Sequence, residues 1–473
     1  MHSGSTGGVR SSLADWSLVV ALLVTLGLAS GFRLSMLVVP EMDEGIYVYA
    51  GKLIAEGSQP YRDFMFAHPP LVPYLAAVLW KIGGSLESTR WLAIGITLMS
   101  SVPLFVLARR LSGSAAAGLF AVALYVTGLV WVANLGRTLR LEPTLNMFLI
   151  AGAVLWWLGR GRWSALAAGA CFALAVATKL VAVVPIAILA SADLAWPVSG
   201  KADWQRRGSL ALGGALVLLP LAAWCLDQPG FREWAWTAQF ARQRVSLEER
   251  LFGFGQALVR FPPLLLGLIL AALQLRQPEP RRRALALTTI ASTVASVFLF
   301  KTFFRHYLAL ILPWVAVLMA VAVAEFCARP RQRAALVVTC FVLAACAPVA
   351  FTLISLRVSP QHSAGAATVL PYLNHRQGYL LSPYPDFALL TGRELVPWYF
   401  IVDNYLALSI GKLSDSEFAA IVDRTSNVVV LSGELDGLPQ TKALLGARFR
   451  PLPVDAHWSA WERRTSDEPA VPR

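Results

Sequence analysis

Two adjacent carboxylates, Asp43-Glu44, stand in a polar stretch directly after the first long apolar run of the chain. The same stretch carries Pro60-Tyr61-Arg62-Asp63 and His68-Pro69-Pro70. Further ionisable residues border later apolar runs: Arg90, Arg137 with Glu142, Lys179, then Lys301, Arg305 and His306 followed by Tyr307. A carboxylate is suited to remove a proton from a hydroxyl within hydrogen-bond reach. Fixed cations favour the negative charge that a phosphate gains when a bond to it breaks. Ionisable groups in a membrane-embedded chain are costly, so they are functional candidates. An acidic pair among cations suits a lipid-carried phosphodiester presented at the lipid–water boundary.

Each of these residues also has a plainer reading. Ile46, Ala50, Leu53 and Ile54 recur at helical spacing, which predicts that residues 44–56 form an amphipathic helix lying on the membrane. Asp43 would then be a helix cap. Lys179, and the pair Lys301 and Arg305 four residues apart, would snorkel to the interface. Arg137, Arg140 and Glu142 would be a surface cluster, and His68 a turn residue. The residues taken singly leave both readings open.

The elements that must position these groups are membrane helices. Of 473 residues, 56% are hydrophobic. Apolar runs of about 20 residues, the length of a bilayer-spanning helix, recur at 16–38, 91–108, 115–134, 144–158, 163–179, 181–196, 208–226, 260–275, 284–303, 307–326 and 334–355. Residues 71–83 are apolar but short, which predicts an interfacial or re-entrant helix. The net charge of +13 would suit nucleic acid, but the basic residues sit in short clusters between apolar runs. That is the pattern of the positive-inside rule, so no nucleic-acid partner is expected. With the N-terminus inside, Arg109-Arg110, Arg160 and Arg162, Arg206-Arg207, Arg281-Arg282-Arg283 and Arg329 with Arg331 all fall in inner loops. The candidate residues then share the outer face. The five cysteines lie in or at the edge of apolar runs, so no disulfide framework is implied.

The reading divides the chain into a cytoplasmic tip (1–15), a transmembrane domain (16–356) with a first outer loop (40–90), and an outer C-terminal domain (357–473). In the last, β-rich runs at 378–382 and 427–431 alternate with a helical segment from Asp415 to Arg424, which predicts a small α/β fold.

The run Asp43-Glu44-Gly45, Gly57, Pro60-Tyr61-Arg62-Asp63 and His68-Pro69-Pro70-Leu71 resembles the first outer loop of GT-C-type membrane glycosyltransferases. It is most similar in pattern to the bacterial branch of the protein O-mannosyltransferase family, with the lipid A aminoarabinose transferase as a cousin. Arg90, Glu142, Gly169 with Thr178-Lys179, and Arg305-His306-Tyr307 with Pro313 continue the resemblance over roughly residues 15–325. It implies an all-α polytopic fold of about 11–13 transmembrane helices with a small outer α/β domain. It also implies transfer of a sugar, with inversion, from a polyprenyl-phosphate carrier to an envelope glycan, lipid or protein.

Carried over, Asp43 matches the family's catalytic acidic residue and Glu44 its partner. His68, Arg90, Lys179, Arg305 and Tyr307 match positions near the donor phosphate, where Lys301 and His306 join them. Tyr61, Arg137 and Glu142 are expected on the sugar or acceptor side. No cofactor is expected. A divalent metal is not indicated by any ligand spacing, though the sequence leaves it open. The expected location is the bacterial cytoplasmic membrane, multi-pass and in contact with membrane lipid, with the site facing the periplasm or exterior. The competing reading is a non-catalytic glycolipid transporter or flippase. That should place polar residues at mid-membrane depth and on both faces.

Overall fold

Over its described residues, each of the eleven apolar runs is helical in the computed structural model. It describes residues 6–35, 42–133, 138–194, 201–237, 245–277, 279–299, 304–327, 329–358, 368–374, 379–382, 384–395, 413–424, 428–432, 438–454 and 458–464.

The helices in chain order are α1 (Thr6–Ser35), α2 (Met42–Ala55), α3 (Leu71–Lys81), α4 (Leu86–Ser112), α5 (Ala115–Ala133), α6 (Leu141–Trp157), α7 (Arg162–Thr178), α8 (Val183–Leu194), α9 (Lys201–Asp227), α10 (Leu247–Arg260), α11 (Pro262–Gln274), α12 (Pro280–Val294), α13 (Leu312–Phe326) and α14 (Pro330–Val358). By length and composition, α1, α4, α9 and α14 contain stretches long and apolar enough to cross a membrane alone. The apolar α3, α5, α6, α7, α8 and α13 are shorter, and α10 meets α11 at a bend of 103°. The chain is a multi-pass membrane protein.

Local chemistry sets several of these boundaries. Ser85 and Ser88 cap α4 reciprocally, the Ser88 hydroxyl accepting from the Ser85 N–H at 2.7 Å. Gly113, with φ 69°, ends the same helix in a left-handed turn. Small residues let α7 and α9 approach closely: a methyl group at Gly169 would collide with the Leu210 carbonyl, and one at Gly213 with that of Leu166. This is a common packing device of membrane helices. The main core is formed by residues such as Leu104, Phe105, Tyr125, Leu149, Trp314 and Val317 from α4, α5, α6 and α13.

The bundle has two chemically distinct ends. One end gathers the starts of α4 and α6 and the ends of α7 and α9. The other gathers the arginines: Arg109 pairs with Asp15 at 2.6 Å, Arg206 lies over the Trp156 ring at 4.2 Å, and Arg282 reaches Glu325 at 3.2 Å.

The short helix expected at 71–83 is present as α3. The expectation for residues 44–56 is corrected. The helix forms as α2, but residues 44–51 are buried. The face predicted to rest on lipid packs instead against α3 and the C-terminal segment, sharing a core with Val72, Ala76, Phe387 and Leu395. Hydrophobic spacing marks a face for burial and does not identify what covers it.

The C-terminal segment holds β1 (Leu380–Leu381), α15 (Asp386–Thr391), α16 (Asp415–Arg424), β2 (Val428–Ser432), α17 (Pro439–Arg448), β3 (Phe449–Pro451) and β4 (Trp458–Arg463). The sheet order is β1-β2-β4-β3, with β1 parallel to β2 and the other pairs antiparallel. Phe418, Ile421 and Val422 of α16 pack with Leu445 and Phe449. The expected strand–helix alternation is therefore present.

Candidate functional site

The acidic pair occupies the first turn of α2, where the helix dipole favours negative charge. Successive residues on a helix point about 100° apart, so the two carboxylates meet different neighbours. Glu44 is 0% exposed and takes a two-pronged ion pair from Arg90 of α4. Arg90 Nη2 lies 2.8 Å and Nε 3.0 Å from Glu44 Oε2. This pair links two elements 46 residues apart. Asp43, with its side chain 34% exposed, pairs with Arg140 Nη1 at 3.1 Å. Arg140 is the extended residue preceding α6. Asp43 therefore has a specific long-range partner, which a cap does not require.

A second cluster lies at the same end of the bundle. Glu142, in the first turn of α6, accepts from Lys179 Nζ at 2.6 Å. His306 Nε2 lies 3.9 Å from the same Glu142 oxygen. Lys179 sits where α7 ends: its backbone is extended, and a short 3-10 turn, Leu180–Ala182, follows. Its ammonium also lies 4.7 Å from the centroid of the Tyr307 ring, a cation–π contact.

His306 and Tyr307 come from a 3-10 turn, Arg305–Leu310, before α13. Asn146 of α6 donates to the Ala309 carbonyl at 2.8 Å, and Ser296 donates to the Tyr307 carbonyl at 3.2 Å. Two buried polar side chains thus fix the turn within the bundle. Glu142, Lys179, His306, Tyr307 and Ser296 line a common cleft.

Two residues that sequence reasoning did not place among the site residues join the two clusters. Arg140 bonds Asp43 and also lies within electrostatic reach of Glu142. Its signal was its position just before the helix that starts with Glu142. Tyr47 follows Asp43 by one helical turn. Burial, reinforced by the Asp43 and Glu142 carboxylates, pushes the Tyr47 phenol well above its ordinary value. Its hydroxyl is therefore held protonated, as a donor. The i, i+4 spacing from Asp43 was the available signal.

The other expected site residues are distributed differently. Arg90, expected near a donor phosphate, is directed onto Glu44 and buried with it. Arg305 is exposed and donates to Gln256 of α10 at 3.0 Å, while its neighbours His306 and Tyr307 line the Glu142 cleft. The His68 ring packs near Tyr47 and Phe66, with centroids 6.2 and 6.3 Å away. Tyr61 is buried against Phe66, Trp224 and Phe231. It adopts φ 67°, a left-handed conformation uncommon for a residue with a side chain, and its hydroxyl donates to the His68 carbonyl. Tyr61 fixes the shape of the loop. Arg137 and Lys301 lie outside the described residues.

The arrangement offers a half-exposed carboxylate held by a guanidinium, and a cleft where ammonium, imidazole and phenol groups surround a second carboxylate. Such a pair of features suits proton removal beside an anionic leaving group.

Residues 67–226 match the family model of dolichyl-phosphate-mannose-protein mannosyltransferase. A search of curated proteins finds no match. Among solved structures, ArnT from Cupriavidus metallidurans in the apo state is similar at TM-score 0.71 and 15% identity, over 95% of this chain and 98% of that one. ArnT bound to undecaprenyl phosphate gives TM-score 0.67 and 15% identity, over 99% of this chain and 100% of that one. The oligosaccharyltransferase AglB of Archaeoglobus fulgidus, in complex with an inhibitory peptide and a dolichol-phosphate, gives 0.50 and 12% identity, over 95% of this chain and 75% of that one. The chain has the GT-C fold that the sequence pattern implied.

Proposed function

We propose that this protein is a membrane glycosyltransferase that moves a sugar from a polyprenyl-phosphate carrier to a hydroxyl of an envelope glycan, lipid or protein. The observation that carries the reading is the division of the acidic pair. Glu44 is sealed against Arg90, while Asp43 remains open beside Arg140. Support comes from the fold, from the match over residues 67–226, and from ArnT having been solved with undecaprenyl phosphate.

In this reading Asp43 accepts the proton of the acceptor hydroxyl. The hydroxyl oxygen attacks the anomeric carbon from the face opposite the phosphate. The bond from that carbon to the phosphate oxygen breaks, its electron pair leaves with the polyprenyl phosphate, and the anomeric configuration inverts. Lys179 and His306 hold the departing phosphate as its negative charge grows, which lowers the barrier. Tyr47 donates a hydrogen bond to the reacting groups. Glu44 and Arg90 fix the start of α2, so the Asp43 carboxylate is preorganised. These steps draw on side chains alone.

The arginine end would face the cytoplasm of a bacterial inner membrane, by the positive-inside rule, and the carboxylate end the periplasm. A transporter would place charges at mid-membrane depth, whereas the ion pairs described here that join different helices gather at the bundle ends.

The test is incubation of the purified protein with a panel of polyprenyl-phosphate sugars and extracted envelope acceptors. Release of polyprenyl phosphate, coupled to a glycosylated product of inverted configuration, is expected. No release from any donor would remove the transferase reading. Orientation is tested by single cysteines at Ser416 and Ala334 in a background without the native cysteines. An impermeant thiol reagent should label the first and not the second in intact cells.

A further inference from the structure

The C-terminal domain touches the acidic helix one residue beyond the acidic pair. A methyl group at Gly45 would stand 2.7 Å from Asp386 Oδ1 and 2.8 Å from the Asp386 backbone nitrogen. Carbon atoms do not approach that closely, so any side chain there forces α2 and α15 apart. One turn further on, the Leu395 N–H donates to the Tyr49 hydroxyl at 2.8 Å, a buried bond spanning 346 residues. Burial raises the Tyr49 phenol to about 12, which keeps that hydroxyl neutral. The two segments also share one core: Ile46, Val48 and Ala50 of α2 cluster with Val369, Leu373, Phe387 and Ala388. On the other side, Gly51 lets α2 lie directly on α3, where a methyl group would collide with Ala76. The acidic helix is therefore clamped between α3 and the C-terminal domain.

We propose that the C-terminal domain is a positioning element of the site, acting through Gly45, Asp386 and the Tyr49–Leu395 bond to set the start of α2 and so the direction of the Asp43 carboxylate. The inference rests on the transferase reading for its effect on turnover, but its geometric part stands independently. The physical reason is leverage. Gly45 is two residues from Asp43, so a shift of α2 at the contact reaches the carboxylate almost undiminished. A misplacement of about 1 Å at a reacting group costs on the order of 10²-fold in rate. Tightly packed elements move as units and do not absorb such a shift locally. An outer domain that shares a core with the helix bearing the candidate base is part of the site's scaffold, although it contributes no reacting group itself.

Two measurements on Gly45→Ala test this, in a full-length protein lacking the native cysteines. The first is the distance distribution between spin labels at the exposed positions 56, just past the end of α2, and 390, on α15. The parent protein should give one narrow distance, and Gly45→Ala a broadened or displaced one. The second is steady-state kinetics, where kcat should fall by roughly 10²-fold while KM for the donor stays near the parent value. Replacing Asp386 by glycine in the Gly45→Ala protein should recover part of kcat, a rescue that a merely destabilised protein would not show. If Gly45→Ala does not fold, Tyr49→Phe carries the test, with a smaller fall in kcat, an unchanged donor KM and a broadened distance. Parent-like distances in the variant tested would overturn the clamp. Parent-like kcat in a protein whose distances do change would overturn its positioning role. If Asp43→Asn keeps full turnover, the assignment of the base fails instead, and the label distances still decide whether the clamp exists.

Discussion

The two ends of the helical bundle carry charge in opposite styles. At the carboxylate end, ion pairs join residues far apart in sequence and are largely excluded from water, as in Glu44 with Arg90 and Glu142 with Lys179. At the arginine end, Arg110, Arg160, Arg162, Arg281, Arg329 and Arg331 are exposed, and the pairs that join helices there, Arg109 with Asp15 and Arg282 with Glu325, are partly open to water. A buried pair suffers heavy desolvation and survives only with good geometry, so it fixes where its helices sit. An exposed arginine contributes little to stability, and its place is set by the membrane rather than by a partner. Charge at one end is therefore read as chemistry and scaffold, and at the other as orientation.

The sharpest way to break this contrast is Asp43→Asn. Turnover should drop by 10²-fold or more, the usual size of a general-base contribution, while equilibrium binding of the donor persists. Near-parent turnover would leave the carboxylate end without its base.

Arg90→Ala comes next. Leaving Glu44 buried without its guanidinium should cost about 3–5 kcal/mol of stability, read as a large fall in thermal denaturation temperature in detergent. A variant as stable as the parent would mean that this pair does not hold α2 in place.

Lys179→Gln should lower kcat by roughly 10²-fold, the effect of losing one donor to a developing negative charge. If kcat and KM both stay at parent values, the phosphate lies away from the Glu142 cleft.

The smallest effects are expected where the side chain faces outward. Arg305→Gln at the carboxylate end and Arg110→Gln at the arginine end should each change stability by no more than about 0.5 kcal/mol, with kcat within about twofold. A large loss of kcat in Arg305→Gln alone would extend the phosphate cleft to α10.

How much of this was legible beforehand varies by residue. Lys179 was visible as a charge ending a small, apolar run, and Glu142 as an acid opening one. That they meet at 2.6 Å was not, because they lie on separate helices. The family resemblance implies a place near the donor phosphate for both Arg90 and Arg305. Packing directs the first onto Glu44 and the second onto Gln256, since a long side chain bonds to whatever its helix is set against. The lipid-facing role given to α2 failed for the same reason. Its apolar face was real, but the C-terminal domain covers it.

By itself the sequence determined the class of the molecule, its recurring apolar helices, the clusters of arginines between apolar runs, and the α/β character of the C-terminal segment. These follow from composition, hydropathic length and residue spacing, which act along the chain. Only the tertiary structure decided which carboxylate is open, which cation answers it, and which surface the acidic helix rests on. Those depend on contacts between residues far apart in the chain, 46 positions for Glu44 with Arg90 and 346 for Tyr49 with Leu395, and no local pattern encodes the packing that brings them together.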